Sequence, residues 1–163
     1  MSECQSWGTP PAFIKYVENT FGVNFTLDAA ANEHNAKAPV WIDEEADSLT
    51  QQWRGVVWLN PPFGHGGKNV KQFIQRAVDM KYMCGSIWVL IPARTDTRMF
   101  HELVIPNASA IYFIKGRLNH THPTKVKGAN ATFPSMLVEF RPTLPVWPAR
   151  ITTLEPSPTE RGN

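Results

Sequence analysis

Three short apolar runs, at residues 56–59, 87–91 and 110–114, with a fourth at 136–140 broken only by Glu139, constrain this chain more than any other feature. Such a run has no polar face to give to water, so as a strand it must be covered on both sides. The intervening segments supply the cover. Val70, Phe73, Ile74, Ala77 and Val78 recur at helical spacing before Gly85, as do Met99, Phe100, Leu103 and Val104 before Pro106. Strands alternating with helices predict a largely parallel sheet with helices packed on it.

The segments upstream extend the pattern. Thr9-Pro10-Pro11 is a helix-start signal, with Thr able to cap free amides and Pro tolerated in the first turn. Phe13, Ile14, Val17 and Phe21 then form an apolar stripe that Gly22 stops. Residues 23–28 alternate apolar and polar, predicting a strand that presents Asp28 at its end, and one more short strand is expected around residues 40–42. The last two runs are joined without an obvious helix, which predicts one antiparallel strand near the edge of the sheet. Ligands of such α/β sheets bind beyond the C-terminal ends of the strands.

With 163 residues, 42% of them hydrophobic, the chain suits one compact domain, assigned to residues 1–141. After Arg141, Pro142, Pro145, Pro148, Pro156 and Pro158 crowd residues 142–163, which read as a flexible tail dispensable for chemistry. Sixteen basic against 14 acidic residues demand no polyanionic partner, so any nucleic-acid face must come from local clustering. Cys4 and Cys84 suggest neither a disulfide framework nor a zinc site, and His120 and His122 lack a third ligand, so no metal is expected. No leader or membrane span is read, and a soluble protein of a reducing cytoplasm is expected.

The chemistry concentrates where the 56–59 run ends, in Asn60-Pro61-Pro62-Phe63. An exocyclic amino group on an aromatic base is a poor nucleophile because its lone pair is delocalised into the ring. Accepting hydrogen bonds from both of its N–H groups localises that lone pair. The Asn60 side-chain oxygen and the Pro61 carbonyl are the expected acceptors. Pro61 and Pro62 stiffen the turn and offer no competing N–H, while Phe63 is suited to stack on the base. The glycines of residues 64–69 suit a loop that closes over the ligand.

The stretch resembles the Asp/Asn-Pro-Pro-Tyr/Phe motif of amino-methyltransferases. Read in order, Thr9-Pro10, residues 27–31, Asn35-Ala36-Lys37, residues 47–53, residues 60–64, residues 91–95, Phe100-His101, Gly116-Arg117-Leu118 and Phe133-Pro134-Ser135 resemble the phage-type DNA adenine-N6 methyltransferases, the Dam-like family of phages and prophages. The resemblance runs from about Trp7 to Phe140. It implies a minimal class I S-adenosylmethionine-dependent methyltransferase fold, Rossmann-like, with S-adenosyl-L-methionine as methyl donor. It also implies adenine in double-stranded DNA as acceptor and a role in the bacterial host shielding phage DNA from restriction.

On that footing Asn60, Pro61, Pro62 and Phe63 are the catalytic candidates. Asp28, with Ala29 and Ala30, is expected to balance the donor's ammonium, and Thr9-Pro10 to face its carboxylate. Asp47-Ser48-Leu49 resembles the segment that reads the donor's adenine amino group; the competing reading has Asp47 cap the turn leading to Leu49 and Trp53. Asp43 and Glu44 are candidates for the ribose. Arg94 and the basic stretch of Lys115, Arg117, His120, Lys125 and Lys127 are the candidate DNA contacts. His101 reads as a satisfied histidine. Two alternatives stand beside this reading: methylation of RNA adenine or protein glutamine, and a non-catalytic DNA-binding restriction decoy.

Overall fold

A computed structural model describes residues 8–62, 68–122, 125–130, 132–143 and 149–162, and side chains throughout these except at 68, 69 and 122–130. Helix α1 (Pro11–Phe21) comes first and buries Phe13, Ile14 and Val17. Gly22 ends it in the left-handed conformation at φ 64°, as the sequence led one to expect. Pro10, not Thr9, is the N-cap and, having no polar side-chain atom, makes no cap bond, while the Thr9 hydroxyl accepts from Asn60.

Strands β1 (Leu27–Asp28), β2 (Val40–Trp41), β3 (Val56–Leu59), β4 (Ser86–Pro92), β5 (Ala110–Ile114), β8 (Ser135–Phe140) and β9 (Arg150–Leu154) form one sheet in the order β2-β1-β3-β4-β8-β5-β9. β8 alone runs antiparallel to its neighbours β4 and β5; the other neighbouring pairs are parallel. A separate hairpin, β6 (Asn119–His122) with β7 (Lys125–Asn130), interrupts the passage from β5 to β8.

Side-chain alternation splits the core between the two faces of the sheet. Val57, Leu59, Ile87, Val89, Ile91, Val138 and Phe140 pack under helix α2 (Lys68–Met80), against its Phe73, Ile74 and Ala77. Trp58, Trp88, Leu90, Leu137 and Tyr112 face α1. Each fully buried large side chain contributes roughly 1.5–3 kcal/mol, so both faces are needed to hold the sheet.

The structure departs from the sequence reading in three further places. The 23–28 strand shrinks to Leu27–Asp28, since the Phe25 amide donates to the Glu18 carboxylate (2.9 Å) instead of a ladder. The helix expected to stop at Pro106 becomes a π-turn over Phe100–Val104 followed by α3 (Ile105–Asn107). Pro106 cannot donate to the carbonyl four residues back and its ring would clash there, so the wider turn lets the helix pass it. The tail is not loose throughout: Arg150–Leu154 pairs residue by residue with β5.

Candidate active site

The chain leaves β1 toward β2 on one side of the sheet and reaches β3 on the other, so β1 and β3 flank a switch point. Their C-terminal ends frame the crevice where α/β sheets bind ligands. Asp28 closes β1 and Asn60 follows β3, in adjacent positions held by the parallel pairing of Asp28 with Trp58 and by the bond from the Ala29 amide to the Trp58 carbonyl (2.9 Å).

Asp28 is 3% exposed. Its two oxygens accept the backbone amides of Ala30 (3.3 Å) and Lys37 (2.9 Å), which bends residues 29–37 around the carboxylate. Burial pushes its pKa up to about 6, against the pull of those amides and of the Lys37 ammonium. Ala29 is fully buried and Ala30 lies partly buried at the turn, so neither side chain obstructs the crevice.

Asn60 donates through Nδ2 to the Thr9 hydroxyl at 3.3 Å. Its Oδ1 is buried and has no hydrogen-bond partner among the described residues. An acceptor held out of water and left unsatisfied costs about 1–3 kcal/mol. Pro61 behind it is buried and Pro62 half-buried, as a rigid turn requires. Phe63 and residues 64–67 lie outside the described residues.

Thr9 is itself 1% exposed. Gly8 exchanges backbone bonds with Thr121 of β6 at 2.8 and 3.0 Å. The segment Gly8-Thr9-Pro10 therefore straps the β6–β7 hairpin to Asn60. Sequence reasoning has Thr9 as a helix cap and, with Pro10, as facing the donor's carboxylate; in the structure its hydroxyl accepts from the candidate catalytic amide of Asn60.

Asp47-Ser48-Leu49 forms a tight turn with Asp47 at φ 52°. Asp47 is exposed, and its Oδ1 accepts the Leu49 amide (3.2 Å), which matches the turn-capping alternative. The Ser48 carbonyl and hydroxyl both accept Trp53 Nε1 at 3.1 Å, and Trp53 is buried in the core.

The candidate DNA contacts divide. Arg94 is exposed where β4 ends, and Arg117 is exposed before the hairpin. Lys115 is paired with Glu155 beyond β9 at 3.0 Å. His120 is half-buried, and burial holds its pKa below the ordinary histidine range despite the Gly8 backbone beside it. At neutral pH it offers no full cation to a phosphate. Lys125 and Lys127 lie on β7, with side chains outside the described residues. His101 Nε2 meets the Thr95 carbonyl at 2.8 Å, a satisfied histidine. Among the described residues no group of three or more His, Cys, Asp or Glu is gathered as a metal site would need. None of the described helices is long and apolar enough to cross a membrane.

The sequence reading did not single out Lys37 as a site residue. Its only visible signal was its place in Asn35-Ala36-Lys37, nine residues beyond Asp28.

Comparison with known proteins places these features in a group. The sequence model of the family described as DNA N-6-adenine-methyltransferase (Dam) matches residues 1–156. The DNA N-6-adenine-methyltransferase of Haemophilus phage HP1 (strain HP1c1) is 29% identical over 149 residues, covering 88% of this chain and 83% of that protein. The DNA N-6-adenine-methyltransferase of Escherichia phage T1 is 32% identical over 114 residues, 69% of this chain but 45% of its own length. Among solved structures, a proposed RNA methyltransferase of Pyrococcus horikoshii superposes with a TM-score of 0.54 at 11% identity, covering 83% of this chain and 85% of that one. A proposed class I S-adenosylmethionine-dependent methyltransferase of Listeria monocytogenes gives 0.57 at 11% identity, over 92% of this chain and 66% of that one. At such identity the two structures speak for the fold alone.

Proposed function

This chain belongs to the DNA N-6-adenine-methyltransferase (Dam) family and has the class I methyltransferase fold; from that membership we propose that Asn60, with the Pro61 carbonyl, holds the adenine amino group for methylation in DNA. The observation that carries this assignment is the buried Asn60 Oδ1 without a partner, at the end of β3 and beside the switch point.

S-adenosyl-L-methionine, when bound, supplies the methyl group. The residues present fit it: Asp28 is a desolvated carboxylate suited to an ammonium, Lys37 lies beside it with the opposite charge, and Ala29 and Ala30 leave room. Asp47-Ser48-Leu49 is the proposed adenine-side contact.

On the acceptor side, Asn60 Oδ1 and the Pro61 carbonyl take the two N–H groups of the target amine, which localises its lone pair. Asn60 Nδ2 donates to the Thr9 hydroxyl, which leaves Oδ1 for the amine. Phe63 is assigned to stacking on the base. An adenine inside a duplex must be flipped out to reach this crevice. Arg94, Arg117, Lys125 and Lys127 are the proposed phosphate contacts, with His120 a packing residue at the base of the hairpin. Shielding of phage DNA in the bacterial host cell is the proposed biological use.

The test replaces Asn60 by Ala. Methyl transfer, read as N6-methyladenine by mass spectrometry of digested DNA, should fall by about 10²-fold or more, the effect of losing one preorganised polar contact. Binding of S-adenosylhomocysteine, read by calorimetry, should stay within a few-fold. Near-normal N6-methyladenine in the variant, or a product on RNA or protein but not on DNA, overturns the assignment.

A further inference from the structure

Lys37 is in an unusual electrostatic position for a lysine on a loop. It is half-buried, and its ammonium lies 3.5 Å from where a Cβ on Gly8 would stand. Its backbone amide donates to Asp28 Oδ2, and its side chain feels the Asp28 charge. Yet no carboxylate among the described residues comes within ion-pair distance, 4.0 Å, of its Nζ. Burial lowers its pKa, so the folded chain bears a cost for holding the charge there. The same side chain lines a groove of about 350 Å³ with Pro11, Ile14, Ala36, Ala38 and Pro39.

A lysine with four flexible carbons normally extends its ammonium into water when no partner is near. A half-buried ammonium on the wall of a groove, with no carboxylate of the described residues close to it, is placed to meet an anion that arrives with a ligand. Asp28, bent toward it through residues 29–37, is the complementary half. The two opposite charges on one loop match a ligand that carries both an ammonium and a carboxylate.

We propose that Lys37 is a positioning residue that binds the α-carboxylate of the methyl donor, while Asp28 takes its ammonium. The assignment rests on the S-adenosylmethionine reading above. It gives the carboxylate to Lys37 in place of Thr9-Pro10, whose hydroxyl serves Asn60.

The experiment is a ligand–residue cycle by calorimetry. S-adenosylhomocysteine and its decarboxylated analogue, which keeps the amine and lacks the carboxylate, are titrated into the wild type, Lys37→Met and Lys37→Arg. The wild type should prefer S-adenosylhomocysteine by roughly 10- to 100-fold, the range for hydrogen bonds to charged groups. Lys37→Met should lose that preference by weakening S-adenosylhomocysteine alone, leaving the decarboxylated analogue within about threefold. Lys37→Arg, which keeps a cation, should recover most of the preference. Equal weakening of both ligands in Lys37→Met would show that Lys37 only supports the Asp28 loop, and no weakening of either would show no contact; both outcomes overturn the proposal. A wild type that binds neither ligand would remove the donor assignment itself.

Discussion

Asp28, the proposed partner of the donor's ammonium, carries a stability cost that its ionisation sets. Its pKa rises from 3.8 to about 6, chiefly through burial, so the folded chain holds its proton more tightly than the unfolded one. The contribution to stability is therefore complete below pH 3.8 and lost as pH rises through about 6. At neutral pH the fold carries an ionised, desolvated carboxylate at a cost on the order of 3 kcal/mol. Asp28→Asn cannot ionise, so between pH 4 and 7 its urea-unfolding free energy should gain on the wild type by roughly 2–3 kcal/mol. A difference that stays constant across that range would refute the ionisation. Residues of this kind were legible in the sequence because Asp28 ends the alternating 23–28 segment and Asn60 follows the apolar 56–59 run, where a polar group must face a crevice or water. Lys37 was not legible, because its setting is made by Gly8 and by the burial of a loop with no periodicity.

At the level of elements, the runs at 56–59, 87–91, 110–114 and 136–140 could be read directly because both faces of each are covered, leaving no ambiguity about register with water. β9 escaped notice for the opposite reason. It is an edge strand with four exposed residues and only Leu154 buried, so it has no alternation to detect, and Pro148 and Pro156 flank it without interrupting it. The prolines mark its boundaries; composition alone reads them as disorder. Leu154 is 5% exposed and packs in the cluster beneath α1 with Ile114, Leu118 and Tyr112. Leu154→Ala should therefore cost about 2–4 kcal/mol, as truncation of a buried leucine does, measured by urea unfolding. A cost under about 0.5 kcal/mol, typical of surface positions, would mean that β9 is not part of the core.

Across the whole molecule, net charge explains little about DNA binding. The excess is +2, Lys115 shares an exposed ion pair with Glu155, and burial holds the His120 pKa below the ordinary histidine range. In the proposed reading what matters is where the β6–β7 hairpin is held, and residues from far apart in sequence hold it. Gly8 pairs with Thr121 on one side, and on the other the Asn119 amide and Nδ2 donate to the carbonyls of Arg161 (2.8 Å) and Gly162 (2.7 Å). The Arg161 guanidinium packs so closely over Gly116, at φ 86°, that a Cβ there would approach it to 2.8 Å. None of this is periodic, which is why the fold class could be read from the sequence and this closure could not. The strap that receives Thr121 also carries Thr9, the partner of Asn60, so loosening the hairpin should reach the acceptor side of the site before Asp28. Removing residues 161–163 leaves β9 and both core clusters intact. The variant should melt within a few degrees of the full chain and bind S-adenosylhomocysteine unchanged, while kcat/KM for DNA falls by about tenfold, a loss of roughly 1.4 kcal/mol. A drop in donor affinity of the same size would place residues 161–162 in general support of the fold, and unchanged kcat/KM would mean that the hairpin keeps its position without them.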